Sequence, residues 1–111
     1  MRLLSGQRAF VVQRLSALVL LAFVAGAGVR LAFGAPVTLA QWQAWAAQPL
    51  AAALLLLGAA ALLAHAWVGI RDVVLDYVRP LPLRMFLLGM IVVALALLGA
   101  WTALIVLSHA L

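Results

Sequence analysis

The sequence contains no cysteine, no lysine and no glutamate, and its only acidic residues are Asp72 and Asp76. Without cysteine the chain can form no disulfide, no thiolate metal site and no iron–sulfur ligation of its own. Charged residues make up 8% of the chain, against about 25% in soluble domains, so polar groups cannot cover a surface that water solvates. These absences exclude a water-soluble globular domain.

The residues that remain are suited to lipid. Of the 111 residues 70% are hydrophobic, and the mean hydropathy is +1.32. A hydrocarbon layer of about 30 Å is crossed by roughly 20 helical residues, which leaves room for three or four spans and no separate soluble domain. We predict an all-α integral membrane fold in a single domain, residues 1–111.

Three long apolar runs divide this chain. They predict transmembrane helices over about residues 12–33, 50–78 and 83–107, with Pro80 and Pro82 separating the second from the third. The first run also resembles a signal peptide, but its apolar stretch is longer than that of a typical signal peptide, so we expect an uncleaved span.

Between the first two runs, Trp42 and Trp45 stand three residues apart among glutamines. This spacing predicts a short amphipathic turn at the membrane interface, as an anchor rather than a binding site.

The distribution of arginine predicts the orientation. One side of the predicted membrane would carry six arginines and the other only Arg30. The six are Arg2, Arg8, Arg14, Arg71, Arg79 and Arg84. Basic residues concentrate in cytoplasmic loops, which places the N-terminus in the cytoplasm. The net charge of +5 is therefore interpreted as a topology signal facing anionic lipid headgroups, with no nucleic acid as a partner.

His65 is the first candidate functional residue, because it is the only strongly polar side chain between Leu50 and Ile70, the apolar part of the second span. Ionisable groups inside a membrane are functional candidates, and a neutral imidazole can ligate haem iron. The alternative is a histidine hydrogen-bonded between helices for packing. Gly58, Gly69, Asp72 and Asp76 fall within about 40° of His65 on a helix surface. Such a stripe admits either a flat macrocycle or a neighbouring helix close to the backbone.

Tyr77 is the only tyrosine, and a rise of 1.5 Å per residue places it about 18 Å along the helix from His65. This position lies at the membrane boundary. Its hydroxyl can donate a hydrogen bond to a lipid-soluble acceptor such as a quinone carbonyl. The alternative is an aromatic anchor at the interface.

The run from His65 to Pro80 begins with His-Ala-Trp, has Gly69 four residues after the histidine, and ends with Asp-Tyr-Val-Arg-Pro. This run resembles the second helix of the smaller of the two hydrophobic membrane anchors of succinate dehydrogenase. The length, the three spans and the segment Gln-Arg-Leu-Ser-Ala around Arg14 extend the resemblance over nearly the whole chain.

The resemblance implies a site for each of two redox groups. His65 is expected to be one axial ligand of haem b, whose second histidine comes from a larger cytochrome b anchor subunit, so that this chain forms half of a heterodimeric haem-binding bundle. Arg14 is expected to approach a haem propionate. Tyr77 is expected to hydrogen-bond ubiquinone, with Asp76 in the surroundings of that site. Relatives often carry a histidine where this chain has Arg8.

In that family a flavoprotein subunit oxidises succinate, and an iron–sulfur subunit passes the electrons to quinone at the bacterial inner membrane. The implied role of this chain is to anchor the complex in lipid and to contribute to both sites, without succinate chemistry of its own. A fumarate reductase or other cytochrome b-type anchor and a cofactor-free structural protein remain alternatives. A small transporter typically has four spans and a carboxylate deep in the membrane, and it is disfavoured because this chain has three predicted spans and both of its acidic residues stand at the end of the second.

Overall fold

The computed structural model describes residues 6–34 and 36–111, which leaves Arg2 outside the described residues. Four helices follow one another along the chain: α1 (Gln7–Ala32), α2 (Leu39–Ala46), α3 (Pro49–Tyr77) and α4 (Leu81–Ala110). By length and composition α1, α3 and α4 are able to cross a membrane. The described ranges contain no β-strand. The predicted all-α fold with three membrane helices is confirmed.

Two of the long helices, α1 and α4, extend beyond the apolar runs that predicted them, whereas α3 agrees with the predicted run 50–78 to within one residue at each end. The first begins at Gln7, ahead of residue 12, and α4 continues to Ala110, past residue 107. Hydropathy marks the part of a helix that lies in hydrocarbon, whereas backbone hydrogen bonding continues into the headgroup region. A helix of 30 residues such as α4 is about 45 Å long, which exceeds the hydrocarbon thickness of about 30 Å.

The interfacial segment is a helix of two turns rather than a single turn. The hydroxyl of Thr38 accepts a hydrogen bond from the Gln41 backbone N–H at 3.2 Å, and the Gln41 side chain accepts one from the Thr38 N–H. This capping box satisfies two of the amide groups that a helix start leaves without partners. The rings of Trp42 and Trp45 meet edge to face with centroids 5.9 Å apart.

The helix ends follow from proline and arginine. Pro49 occupies the first turn of α3, and Pro82 the first turn of α4, where the missing N–H costs nothing. At the other end of α3, Arg84 donates from Nε to the Val78 carbonyl at 3.0 Å and from Nη2 to the Leu75 carbonyl at 3.2 Å. A guanidinium there satisfies free carbonyls and complements the helix dipole, so it fixes the short turn between α3 and α4.

The third helix lies at the centre of the structure. Both α1 and α4 pack against α3, and within the described ranges no Cα atom of α1 lies within 8 Å of one in α4. Close packing depends on glycine at two points. A Cβ on Gly58 would lie 2.6 Å from the Phe23 ring of α1, and one on Gly99 would lie 2.9 Å from Leu63 Cδ1 of α3.

Little of the apolar surface is covered by this chain itself. In α4 only Leu88 and Val106 are buried, while α1 buries Ala9 and Ser16. The molecule measures 50 × 25 × 19 Å, long enough to cross a bilayer. The outer faces of the three long helices are therefore available to lipid and to other membrane subunits.

Candidate functional site

A cleft of about 470 Å³ lies between α1 and the second half of α3. We call it the His65 cleft. Its residues come from the N-terminal part of α1 and from one side of α3, which run antiparallel. The lining residues are Gly6, Ala9, Phe10, Gln13, Arg14, Ala17, His65, Val68, Arg71 and Asp72. Two of the residues singled out from the sequence, His65 and Arg14, are thus brought together.

His65 is held to α1 by one hydrogen bond. Its Nδ1 atom lies 3.2 Å from the Ser16 hydroxyl oxygen, and Ser16 is buried. The same hydroxyl donates to the Gln13 backbone carbonyl at 3.0 Å. Within the part of the chain that the structure describes, no hydrogen bond reaches Nε2 of His65. The imidazole therefore has one partnered nitrogen and one nitrogen available to a ligand from outside the chain.

Ser16 was not among the residues that the sequence predicted for the site. It is the only side-chain hydroxyl in α1, and a hydroxyl inside a lipid-embedded helix needs a hydrogen-bonding partner. The sequence therefore indicates that Ser16 needs a partner. It does not indicate which residue of α3 is that partner, because the contact depends on how α1 is rotated against α3.

Two guanidinium groups line the His65 cleft. Arg14 is exposed, and its guanidinium carbon lies 5.1 Å from the centre of the Phe10 ring. Arg71 is largely buried, with 9% relative exposure, and its Nη2 atom lies 2.9 Å from Oδ1 of Asp72. With one carboxylate against two guanidinium groups, the cleft has an excess of positive charge and suits an anionic group.

One further polar atom faces this region without a hydrogen bond. Oε1 of Gln13 is buried, and no partner for it exists among the described residues. Buried polar atoms are nearly always hydrogen-bonded, so an exception inside a cleft is a mark of an incomplete site. The sequence alone did not predict this side chain as part of the site.

The predicted glycine stripe of α3 faces α1. Phe23 packs on Gly58, and Nε2 of Gln13 would lie 3.7 Å from a Cβ on Gly69. The sequence left two alternatives for the space beside these glycines, a macrocycle or a neighbouring helix. In the structure a neighbouring helix, α1, lies beside both Gly58 and Gly69. The missing side chains allow α1 to approach α3 closely enough for Ser16 to reach His65.

Tyr77 and Asp76 lie elsewhere. They are the last two residues of α3, both exposed, with 79% relative exposure for Tyr77, and neither lines the His65 cleft. The Tyr77 ring has no enclosing pocket within the described residues. Any site that uses this hydroxyl needs walls from another chain.

A second cavity, of about 550 Å³, lies toward the other end of the molecule, where α2 folds against the long helices. Its lining is almost entirely apolar and includes Phe23, Trp42 and Trp45. Arg30 stands at this end, with its guanidinium carbon 5.9 Å from the centre of the Trp45 ring. This cation–π contact holds α2 to the end of α1 and fits the predicted interfacial anchor.

No group of three or more His, Asp or Glu side chains comes together in the described ranges. The polar groups of the His65 cleft are one imidazole, two guanidinium groups, one amide and the carboxylate of Asp72. The family model described as "Succinate dehydrogenase/Fumarate reductase transmembrane subunit" matches residues 1–101 of the chain.

Proposed function

The chain belongs to the family of succinate dehydrogenase/fumarate reductase transmembrane subunits, and on that basis we propose that it is the smaller membrane anchor of a bacterial succinate:quinone oxidoreductase, respiratory complex II. As a member of this family it is a multi-pass membrane subunit of an oxidoreductase complex. The observation that carries the proposal is the His65 cleft, where an imidazole inside the membrane helices stands beside Arg14 and Arg71.

The residues of the His65 cleft fit haem b. An axial ligand must offer an unprotonated imidazole nitrogen, and Nε2 of His65 is the nitrogen that Ser16 does not engage. Haem also carries two propionate groups, and the cleft has two guanidinium groups, those of Arg14 and Arg71. A flat macrocycle with two carboxylates therefore fits the imidazole and the two guanidinium groups of the cleft, one of which, that of Arg71, is already paired with Asp72.

When bound, haem supplies a one-electron carrier inside the membrane. The task of His65 is to hold the iron from one side, and the task of the arginines is to neutralise the propionates where little water is available. Arg14 is the guanidinium that the resemblance predicted for this role. Arg71 joins it because it lines the same cleft, which gives a physical reason for an arginine at this position of α3.

A second imidazole ligand for the haem would come from another subunit. His109, the only other histidine, lies near the end of α4, far along the molecule from the cleft. We assign the missing imidazole to the larger cytochrome b anchor subunit, with which this chain would form a shared haem site. The largely uncovered faces of α1 and α4 support such a partner.

We assign ubiquinone to the end of α3. The hydroxyl of Tyr77 donates a hydrogen bond to a quinone carbonyl, and that bond strengthens as the oxygen gains negative charge during reduction. Asp76 belongs to the surroundings of this site. The high exposure of Tyr77 supports a pocket completed by the larger anchor and by the iron–sulfur subunit that delivers electrons from the flavoprotein.

The arginine distribution supports an N-terminus in the cytoplasm of a bacterial inner membrane. Arg8, Arg14 and Arg71 belong to the end of the molecule that holds the His65 cleft, whereas Arg30 belongs to the other end. The quinone residues then lie on the cytoplasmic side, where the soluble subunits dock.

The experiment that tests this function is purification of the intact complex through a tag on this chain, from membranes of the native host. We expect three further subunits by mass, a flavin, a haem b signal in the reduced-minus-oxidised spectrum, and succinate-dependent reduction of ubiquinone. A complex that reduces fumarate with quinol but hardly oxidises succinate would identify a fumarate reductase anchor instead. Purification of the chain without redox partners would contradict the proposal.

A further inference from the structure

We propose that Ser16 is a positioning residue that fixes the tautomer and the ring orientation of His65, leaving Nε2 as the unprotonated nitrogen. This inference rests on the proposed haem site and adds to it a residue of α1. It follows from two hydrogen bonds that share a single hydroxyl group.

The first of these bonds decides where the hydroxyl proton lies. A backbone carbonyl can only accept a hydrogen bond, so in the 3.0 Å contact between Ser16 and the Gln13 carbonyl the hydroxyl is the donor. A serine hydroxyl has one proton. With that proton directed at Gln13, the oxygen is left as an acceptor toward any other neighbour.

The second bond then decides the protonation of the ring. Nδ1 of His65 lies 3.2 Å from the same oxygen, and an accepting oxygen there requires an N–H at Nδ1. A neutral imidazole carries one ring proton, so Nε2 keeps its lone pair. This is the form in which an imidazole can ligate a metal.

The surroundings of Ser16 make this arrangement rigid. Ser16 has 6% relative exposure, and the carbonyl that receives its proton belongs to the same helix. The contact joins two residues that are 49 positions apart in sequence and lie on different helices, so it also fixes α1 against α3. A ligand imidazole whose other nitrogen donates a hydrogen bond is a stronger base, which favours the ferric state of the bound iron.

The test uses the intact complex with Ser16→Ala and Ser16→Thr. Ser108→Ala is the matched control, because Ser108 makes the same type of bond to the carbonyl three residues earlier, that of Ile105 at 2.8 Å, but lies near the far end of α4. The readouts are the haem midpoint potential and the low-spin EPR signal, neither of which is an activity. Haem content and flavin content are measured on each sample.

We expect Ser16→Ala to raise the midpoint potential of the haem by about 59 mV. This is the shift that corresponds to a tenfold change in the equilibrium between ferric and ferrous haem for a one-electron couple. The low-spin EPR signal of Ser16→Ala should shift as well. For Ser16→Thr and Ser108→Ala we expect a midpoint potential and an EPR signal close to those of the unsubstituted complex. Loss of haem in Ser16→Ala with retention and normal potential in Ser16→Thr also supports the proposal, since threonine keeps the hydroxyl that alanine lacks.

Two results would overturn it. One is an unchanged potential and EPR signal in Ser16→Ala, and the other is equal disturbance in Ser16→Ala and Ser16→Thr, which would indicate packing rather than hydrogen bonding. In both cases haem ligation by His65 would stand. If the unsubstituted complex contains no haem b, the proposed function fails first and the role of Ser16 fails with it.

Discussion

His65 combines the two properties that a lipid-embedded metal ligand needs. One nitrogen is occupied by Ser16 at 3.2 Å, which prevents the ring from rotating freely, and the other has no partner among the described residues. The second nitrogen is therefore the position at which we propose that a group from outside the chain binds.

Residues of the candidate site differ in how far the sequence predicts them. His65 stands out because polar groups are rare in apolar runs, Arg14 was implied by the family resemblance, and the structure brings both to one cleft. Ser16 and Gln13 were not predicted, since their roles depend on the rotation of α1 against α3. Tyr77 is 79% exposed, so this chain alone does not determine its environment.

Tyr77 gives the residue-scale prediction. Tyr77→Phe removes one hydroxyl and keeps the ring, so we expect ubiquinone reduction to slow by about 10- to 100-fold, the loss typical of a hydrogen bond to a group that gains charge. Succinate oxidation by a soluble artificial dye should stay intact. Steady-state assays of both reactions on the same preparation measure this. Equal loss of both activities would indicate failed assembly.

At the scale of single elements, the apolar runs predict the existence of the three long helices and place their centres well. Both ends of α3 were predicted to within one residue, whereas the start of α1 and the ends of α4 were less accurate, because capping and the headgroup region rather than hydropathy determine where a helix begins and ends. The interfacial helix α2 shows the same point. Its Thr38 and Gln41 capping pair is a sequence signal for a helix start, which the tryptophan spacing alone did not convey.

The packing of α1 on α3 gives a prediction at this scale. A Cβ on Gly58 would lie 2.6 Å from the Phe23 ring, whereas one on Gly89 would meet no atom within 4 Å. We expect Gly58→Ala to destabilise the complex by about 1–3 kcal/mol through overpacking. Gly89→Ala should leave stability unchanged or raise it slightly, because alanine favours helix.

Thermal unfolding of both variants in the same detergent, followed by loss of the haem absorbance and by circular dichroism, measures the difference. The Gly58 variant should unfold at a lower temperature than its Gly89 counterpart. Equal midpoints for the two variants would show that the close contact with Phe23 does not limit the packing of α1.

At the scale of the whole molecule, the central position of α3 accounts for what this chain can do alone and what it cannot. α3 carries His65 on the side that faces α1 and Tyr77 at its exposed end. Because the backbones of α1 and α4 pack on α3 and do not approach each other within the described ranges, much of the apolar surface stays open. The fold is thus predictable from one sequence, while the proposed haem and quinone sites both call for a partner subunit.

The absence of cysteine makes the topology directly testable. Single variants Gln43→Cys and Ser108→Cys place a thiol on the predicted outer side, and Arg79→Cys places one on the cytoplasmic side. We expect a membrane-impermeant maleimide to label the first two in intact spheroplasts and the third only after permeabilisation. The reverse pattern would contradict an N-terminus in the cytoplasm.

The most direct test of the shared haem site is the reduced-minus-oxidised visible spectrum of the purified complex carrying His65→Ala, normalised to flavin and compared with His109→Ala. We predict that the His65 variant loses its haem b signal or shows a changed axial ligation by EPR, while the His109 variant keeps both unchanged. An assembled His65→Ala complex with the full haem b spectrum and an unaltered EPR signal would contradict ligation by His65.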